Sequence, residues 1–216
     1  MPTTREPLTR DRVVARAIAL ADEAGIEAVS MRKLAAELGV EAMSLYHHVA
    51  SKDELLGAMV ETVVAQFELP HGEDWRSALR RSAISAHEAF RRHRWACRQL
   101  SSPGGVPPGA AQLGYMEGLL ACLREGGFSA DVAYHAYHAL YAHVMGFTLW
   151  EGTLPPGSDL VVLAERFLRT FPAGEYPYMA EHIRQHMPGN RPDDVDEFEF
   201  VLDLILDGLE RLRGDA

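Results

Sequence analysis

The sequence is patterned for helices from one end to the other. Apolar residues recur at three- and four-residue intervals, as they do across 198–212, and no stretch alternates apolar with polar residues as a strand does. Capping residues precede several of these stretches and glycine ends them: Thr9 and Ser30 can begin two helices that Gly25 and Gly39 end. The sequence therefore predicts an all-α fold.

Composition limits the class of protein. The 216 residues carry a net charge of −10, which argues against a protein that coats nucleic acid indiscriminately but not against a small DNA-binding face. Cys97 and Cys122 lack the spacing of a zinc site, and we interpret them as small apolar residues in a reducing cytoplasm. Neither a membrane-spanning run nor a signal peptide is found. We expect a cytoplasmic protein without a membrane partner.

A short stretch near the N-terminus has the pattern of a helix-turn-helix. Ser30 can cap a helix over 31–38, Gly39 ends it, and an amphipathic pattern resumes at Glu41. A small core is expected from Leu34, Ala35, Leu38, Val40, Leu45 and Val49. The outward residues are expected to be Glu41, Ala42, Ser44, His47 and His48. Serine and histidine can bind base edges or phosphates, and Tyr46 and Lys52 add a hydroxyl and a cation.

The next segment indicates where this domain ends. Residues 51–54 read Ser-Lys-Asp-Glu, a capping-box pattern that predicts a long helix through Phe67, and 70–72 read Pro-His-Gly, a boundary. We therefore divide the chain in two. We expect residues 1–67 to form a three-helix, helix-turn-helix DNA-binding domain and residues 68–216 to form a larger helical domain, to which the family resemblance described next assigns effector binding and dimerisation.

The segment MRKLAAELGVEAMSLYHHVASKDELL, residues 31–56, closely resembles the DNA-binding domain of the tetracycline-repressor (TetR) family. The resemblance extends from Thr9 to about Phe67. The remainder resembles the ligand-binding domain of the tetracycline-repressor subgroup through His-Arg-Trp at 93–95 and the closing segment 198–212. The resemblance implies a homodimeric, non-enzymatic repressor without a cofactor. Its partners would be a palindromic double-stranded operator and a small-molecule effector that releases it.

Position by position, the resemblance implies which residues meet DNA. They are Arg32, Glu41, Ala42, Met43, Ser44, Tyr46, His47, His48 and Lys52. Ala42 and Met43 offer no hydrogen bond to a base edge, so we expect reading of the operator to depend on Arg32, Ser44 and DNA shape. The tetracycline–magnesium ligands of the family have no equivalent set in this sequence, so tetracycline itself is not the expected effector.

A helix predicted over 129–150 carries an aromatic stripe that could line an effector cavity. The expected effector-binding residues are Phe90, Trp95, Tyr115, Met116, Tyr134, Tyr137, His138, Tyr141, Met145 and Trp150. The alternative is that this stripe is ordinary helix core. Histidines 135, 138, 143, 182 and 186 are scattered, without an HExxH motif, so we expect no metal site.

The last helix, predicted over about 193–212, is apolar on two sides, which requires both its own core and a partner chain. One of its stripes and the small residues of the 129–150 helix are expected at the dimer interface: Phe198, Leu202, Ile205, Leu209, Ala139, Ala142 and Gly146. A second stripe of Val201, Leu204 and Gly208 lies beside the first.

Two other classes of function remain open. An all-α enzyme would use the histidine and tyrosine residues, yet the sequence has no nucleophile–base set, phosphate loop or paired carboxylates. A protein-binding adaptor would need an apolar anchor on the helix-turn-helix, and Ser44, His47 and His48 do not supply one.

Overall fold

The computed structural model describes residues 7–72, 74–101, 107–153, 160–170, 172, 174–186 and 196–213. Within these ranges the secondary structure is helical, which confirms the all-α prediction. The helices are α1 (Arg10–Ala24), α2 (Met31–Leu38), α3 (Ala42–Leu45), α4 (Lys52–Val64), α5 (Trp75–Arg92), α6 (Arg94–Leu100), α7 (Ala110–Glu125), α8 (Ala130–Glu151), α9 (Leu160–Thr170), α10 (Pro177–His186) and α11 (Glu197–Arg213). A 3₁₀ turn, Ile26–Ala28, follows α1.

The predicted caps begin the first helices. The Thr9 hydroxyl accepts from Arg12 N at 3.2 Å, and the Ser30 hydroxyl accepts from Lys33 N at 3.2 Å, so two of the free N–H groups at these helix ends are satisfied. α2 spans the predicted residues 31–38. Apolar side chains from α1 to α4, Leu34 and Leu45 among them, are buried in a core between these helices.

α4 is, after α1, the longest helix of the N-terminal part. Ser51 Oγ accepts from Glu54 N, and the Glu54 carboxylate accepts from Ala50 N at 2.7 Å, one residue earlier than a capping box would place it. The helix ends at Val64, whereas the sequence predicted an end at Phe67, because the last residues tighten into three-residue turns. One side of α4 packs on α1 and the other on α6 and α7, so this helix joins both parts of the chain.

α5, α7, α8 and α11 form the helical body. The helices predicted over 110–125 and 129–150 are α7 and α8, correct to within one residue. α11 begins at Glu197, and residues 193–195 of its predicted range lie outside the described residues. α9 and α10 pack on each other.

The α5–α8–α11 junction is built around one buried aromatic ring. Phe198, 1% exposed, stacks on His87 at 4.0 Å and on His143 at 4.5 Å between ring centroids. His143 Nε2 donates to the Phe198 carbonyl at 2.9 Å. These two histidines therefore serve the core of the protein.

His87 is held neutral in this core. Thr148 donates its hydroxyl proton to the Val144 carbonyl and so accepts from His87 Nδ1 at 2.8 Å, which places the single proton of the neutral ring on Nδ1. Glu151 lies 3.5 Å from Nε2, but Arg91 approaches the same carboxylate oxygen at 3.7 Å and offsets its charge. Burial is the main reason that the pKa of His87 falls from 6.5 to about 4.

Candidate DNA-binding surface and effector cavity

The turn between α2 and α3 fixes the position of α3, the helix that the sequence predicts to contact DNA bases. Gly39 adopts a left-handed conformation with φ of 65°, which glycine accepts without steric cost. Its N–H and that of Val40 return to carbonyls in the last turn of α2, including Val40 N to Ala35 O at 2.9 Å. The buried Leu45 and Val49 then anchor α3 and the turn after it.

The predicted DNA contacts differ in how far they reach into solvent. Six are exposed: Arg32, Glu41, Met43, Tyr46, His47 and Lys52. Ser44 and His48 are half-buried, and Ala42, which was expected to face outward, is half-buried against the small core. Met43 is 72% exposed and is the largest exposed apolar side chain on α3. α3 itself is four residues long, and Tyr46 to His48 continue as a turn.

A cavity of about 190 Å³ lies between the end of α4 and helices α5, α7 and α8. Its described lining is Val64, Phe67, Ala83, Ala86, Phe90, Leu100, Pro108, Gln112, Leu113, Tyr115, Met116, Leu119, Tyr137, Leu140, Tyr141, Val144 and Met145. An apolar enclosure with a few polar tips is the usual form of a small-molecule site. The cavity lies away from the exposed DNA-contact residues and touches α4, which reaches both regions.

Three tyrosines and one amide provide the polar tips of the cavity. Tyr115 accepts from the Ser82 hydroxyl at 3.3 Å, and burial raises the pKa of Tyr115 to about 12. Burial also raises the pKa of Tyr137 and Tyr141, so all three phenols stay protonated at neutral pH. Gln112 accepts from Gly109 N at 3.3 Å. The cavity thus presents neutral hydrogen-bonding groups.

Six of the ten residues predicted to bind effector line the cavity: Phe90, Tyr115, Met116, Tyr137, Tyr141 and Met145. The other four require correction. Tyr134 and His138 lie on the exposed side of α8, where His138 Nδ1 donates to the Tyr134 carbonyl. Trp150 lies at the exposed end of the same helix against Phe147. At 3.6 residues per turn Trp150 lies across α8 from Tyr141 and Met145. Tyr134 shares their stripe but precedes the part of α8 that lines the cavity, and His138 lies at the edge of that stripe.

Trp95, the fourth, connects the two parts of the chain. Its indole Nε1 donates to Asp22 on α1 at 2.7 Å, and His93 Nδ1 donates to the same carboxylate at 2.9 Å. Farther along α6, Cys97 Sγ lies 3.8 Å from Met145 Sδ at the cavity wall. We call Asp22, His93 and Trp95 the interdomain latch. Nothing in the residue spacing of the sequence pairs Asp22 with the others.

Sequence reasoning also missed the link between α4 and the start of α7. The Glu61 carboxylate accepts from Ala111 N in the first turn of α7. Its other oxygen is buried and has no hydrogen-bond partner in the part of the chain that the structure describes. An acidic group at a helix N-terminus satisfies a free N–H and meets the positive end of the helix dipole. Glu61 thereby ties α4 to the helix that supplies Gln112 and Met116 to the cavity.

The structure corrects the predicted dimer face of α11. Phe198, Leu202 and Leu209 are buried inside the protomer and leave almost no surface for a contact with a partner chain, whereas Ile205 is half-buried. The exposed apolar face consists of Phe200, Val201, Leu204 and Leu212. On α8, Ala139, Ala142 and Gly146 are exposed, as a contact face requires. The stripe of α11 that was expected at a dimer interface is thus the one that packs inside the protomer.

Arginines on α5 pair with acidic residues on one side of α11, in agreement with this rotation. Arg80 donates to Asp203 at 3.0 Å and to Glu199 at 2.5 Å, and Arg76 donates to Asp207 at 2.6 Å. The three acidic residues recur every fourth position, so the side of α11 that they occupy must face α5. The apolar stripe beside them then enters the core.

Among the described side chains, no three histidine, cysteine, aspartate or glutamate residues come together as a metal site would require. The His186 side chain lies outside that set. No described helix combines the length and hydropathy needed to cross a membrane.

Comparison with known proteins identifies the family. Residues 13–59 match the bacterial regulatory proteins of the tetR family, and residues 69–213 match the tetracyclin repressor-like C-terminal domain. The chain belongs to the TetR family. Members of this family are DNA-binding repressors controlled by small-molecule effectors, and the same description holds for this chain.

Individual relatives of this TetR-family chain cover nearly all of it. The transcriptional repressor DrrR1 of Streptomyces coeruleorubidus is 34% identical over 228 aligned positions, which span 97% of this chain and 81% of DrrR1. The Streptomyces coelicolor protein ActR, in complex with actinorhodin, has a TM-score of 0.77 at 30% identity, over 97% of this chain and 100% of ActR. A TetR variant from Acinetobacter baumannii, in complex with minocycline, has a TM-score of 0.67 at 26% identity, over 96% and 99% of the two chains.

Proposed function

We propose that the chain acts as a homodimer that holds a palindromic operator when its cavity is empty and leaves it when an effector fills the cavity. The observation that carries this proposal is the course of α4. The helix starts beside the helix-turn-helix at Lys52 and ends at the cavity wall with Val64. A displacement of the cavity end of α4 would move the DNA-binding helices of each protomer. The proposal includes the division of the chain into a DNA-binding domain, residues 1–67, and an effector-binding domain, residues 68–216.

At the DNA, five of the nine predicted contact residues would divide into two groups. Tyr46 and Lys52 are exposed groups that suit phosphates and the groove edges, while Arg32, Ser44 and Met43 would meet bases. The exposed thioether of Met43 suits the methyl group of thymine. Two such surfaces in a dimer would enter successive major grooves about 34–36 Å apart. Operator binding places the working protein with the chromosome, in the cytoplasm.

The exposed faces of α8 and α11 support a dimer. Ala139, Ala142 and Gly146 would let a partner helix approach closely, and no atom lies within 4 Å of a β-carbon placed on Gly146. Phe200 and Leu204 on α11 would supply the apolar area that such contacts bury. Together these residues would form a bundle of four helices, two from each protomer.

Two links would carry the signal from the cavity to the DNA. Glu61 holds the first turn of α7 against α4, so an effector that shifts Gln112 or Met116 would pull on α4 directly. The interdomain latch would carry a second signal through α6, whose last residue, Leu100, lines the cavity. Effector and operator would oppose each other with a coupling free energy of about 1–3 kcal/mol.

Selection of bound sequences from a random DNA pool tests the proposal. With ligand-free protein at about 150 mM salt, we expect a palindromic motif whose half-sites lie about one helical turn apart. The double variant Tyr46→Ala/Lys52→Ala should lose this binding and keep the wild-type dimer by analytical ultracentrifugation. The matched control, Tyr178→Ala/Arg169→Ala, removes an exposed tyrosine and an exposed cation far from the helix-turn-helix and should bind normally. No enriched motif, or a monomer at micromolar concentration, would refute the proposal.

A further inference from the structure

The described cavity wall carries no charged side chain. Aspartate, glutamate, lysine, arginine and histidine are all missing from the described lining. Among the lining residues Leu113, Met116 and Tyr141 are 40–55% exposed, while Phe90 and Leu119 are 2–3% exposed. An ion held against the buried part of the wall would lose much of its hydration and gain no countercharge. The wall therefore disfavours an ionised ligand.

The shape of the cavity suits a flat ring. Phe67 meets Phe90 and Tyr115 edge-to-face, with ring centroids 5.0 and 5.1 Å apart. Tyr137 and Tyr141 stack on each other at 6.0 Å along α8. Ring faces and edges on the walls of a cavity favour aromatic ligands. About 190 Å³ accommodates one or two fused rings, since a cavity of roughly 150 Å³ holds benzene.

Unused hydrogen-bonding groups define the polar part of the ligand. The hydroxyls of Tyr137 and Tyr141 make no hydrogen bond within the described residues, although burial keeps both protonated. The Gln112 side chain uses its oxygen on Gly109 and has an N–H group left to donate. Such groups match a phenol, a ketone or a quinone and fall short of what an ion needs.

We infer that the cavity binds uncharged, flat aromatic molecules of one or two rings bearing a hydroxyl or carbonyl group, and rejects carboxylates and ammonium ions of the same shape. The inference rests on the proposed function only in naming this cavity as the effector site. It supplies the chemical class of effector.

Isothermal titration calorimetry at pH 7.5 with three probes of one shape tests the inference. We expect 2-naphthol to bind about 100-fold or more tightly than 2-naphthoate and 2-naphthylmethylammonium, because only the first enters without a charge. Tyr137→Phe/Tyr141→Phe should weaken 2-naphthol binding about 5- to 20-fold and leave naphthalene binding unchanged. Ala86→Phe should abolish the binding of 2-naphthol and of naphthalene, because the larger side chain fills the cavity. Tyr178→Phe, an exposed tyrosine on α10, is the matched control.

Each result has one consequence. Absence of 2-naphthol binding, or equal or tighter binding of 2-naphthoate, would overturn the inference. Unchanged 2-naphthol affinity in the double phenylalanine variant, whose shape is conserved, would overturn the assignment of the tyrosine hydroxyls. The operator selection is a separate measurement on ligand-free protein. Its failure would refute the proposed function and leave the calorimetry with the naphthalene probes unaffected.

Discussion

Removal of Asp22 should break the interdomain latch. The carboxylate lies on α1 and accepts hydrogen bonds from Trp95 Nε1 at 2.7 Å and His93 Nδ1 at 2.9 Å. Trp95 is 5% exposed, while the Asp22 side chain is 29% exposed and lines a surface cleft beside it, so water can replace Asp22 only in part as the acceptor of the N–H group. Asp22→Ala would therefore remove the acceptor of a largely buried donor. Trp95→Phe removes the donor and retains an aromatic ring in its place.

The size of the effect follows from these burial values. A hydrogen bond to a charged group contributes about 1.5–3 kcal/mol, and the bond from Trp95 should reach that range in full. The side chains of Asp22 and His93 are 29% and 14% exposed, so solvent screens their contact and it should add less. We expect Asp22→Ala to lower the free energy of unfolding by about 2–4 kcal/mol and Trp95→Phe by about 1–3 kcal/mol. The double variant should lose about 1–2 kcal/mol less than the sum.

Urea denaturation followed by circular dichroism measures all three values at one protein concentration, which a dimer requires. Glu165→Ala is the matched control, because it removes an exposed carboxylate from the ion pair with Arg169 and should cost under about 0.5 kcal/mol. The latch variants should also weaken the effector's influence on DNA binding, so that operator affinity falls by a smaller factor when effector is added. A cost for Asp22→Ala equal to that of Glu165→Ala, or additive losses in the double variant, would refute the latch.

Three further predictions concern single buried or capping groups. Phe198→Ala removes the ring between His87 and His143 and should lower the free energy of unfolding by about 3–5 kcal/mol in the same urea assay; a loss no larger than that of the exposed Tyr178→Ala would contradict the packing. Because the folded pKa of His87, about 4, lies below the unfolded value of 6.5, the unfolded state binds more protons between these pH values. The free energy of unfolding should therefore rise by roughly 3 kcal/mol from pH 4 to pH 6.5 and stay level above, as far as His87 contributes, and His87→Gln should remove that part of the slope. If the slope of His87→Gln matched that of the wild type, titration of this residue would not be its source. Ser51→Ala should lower the free energy of unfolding by about 1 kcal/mol through loss of the α4 cap. Ser51→Asp restores an acceptor and should keep the wild-type free energy of unfolding. Equal melting of all three chains would show that the cap is dispensable.

Local signals allowed the sequence to predict most of the helices. A cap such as Ser30 acts on the N–H groups of its own helix, and Gly39 ends that helix through its own backbone conformation, so both are readable without knowledge of the fold. α4 ended earlier than predicted because apolar spacing continues to Phe67 after the hydrogen-bond pattern tightens. Helical spacing records which residues share a face and leaves the backbone turn at the helix end unspecified.

Contacts between distant helices were predictable only in part. The aromatic stripe through Tyr137, Tyr141 and Met145 was visible in the sequence, while Val64 and Phe67 joined the cavity through the course of α4. The rotation of α11 could have been predicted from charge. Glu199, Asp203 and Asp207 share one face with the spacing of Arg76 and Arg80 on α5, a pattern that matches two helices lying side by side. The latch offers no such periodic signal.

The Glu61 carboxylate lies directly against the backbone of Gly109. The Glu61 carboxylate lies where a β-carbon on residue 109 would stand, so any larger residue at 109 would expel the carboxylate from the start of α7. The constraint runs one way, because a smaller residue at 61 leaves Gly109 unstrained, whereas a side chain at 109 must displace the flexible end of Glu61. In the evolution of regulators built on this arrangement, we expect glycine at 109 and glutamate at 61 to be inherited as a pair. A lineage that loses the carboxylate would then be free to place any residue opposite it.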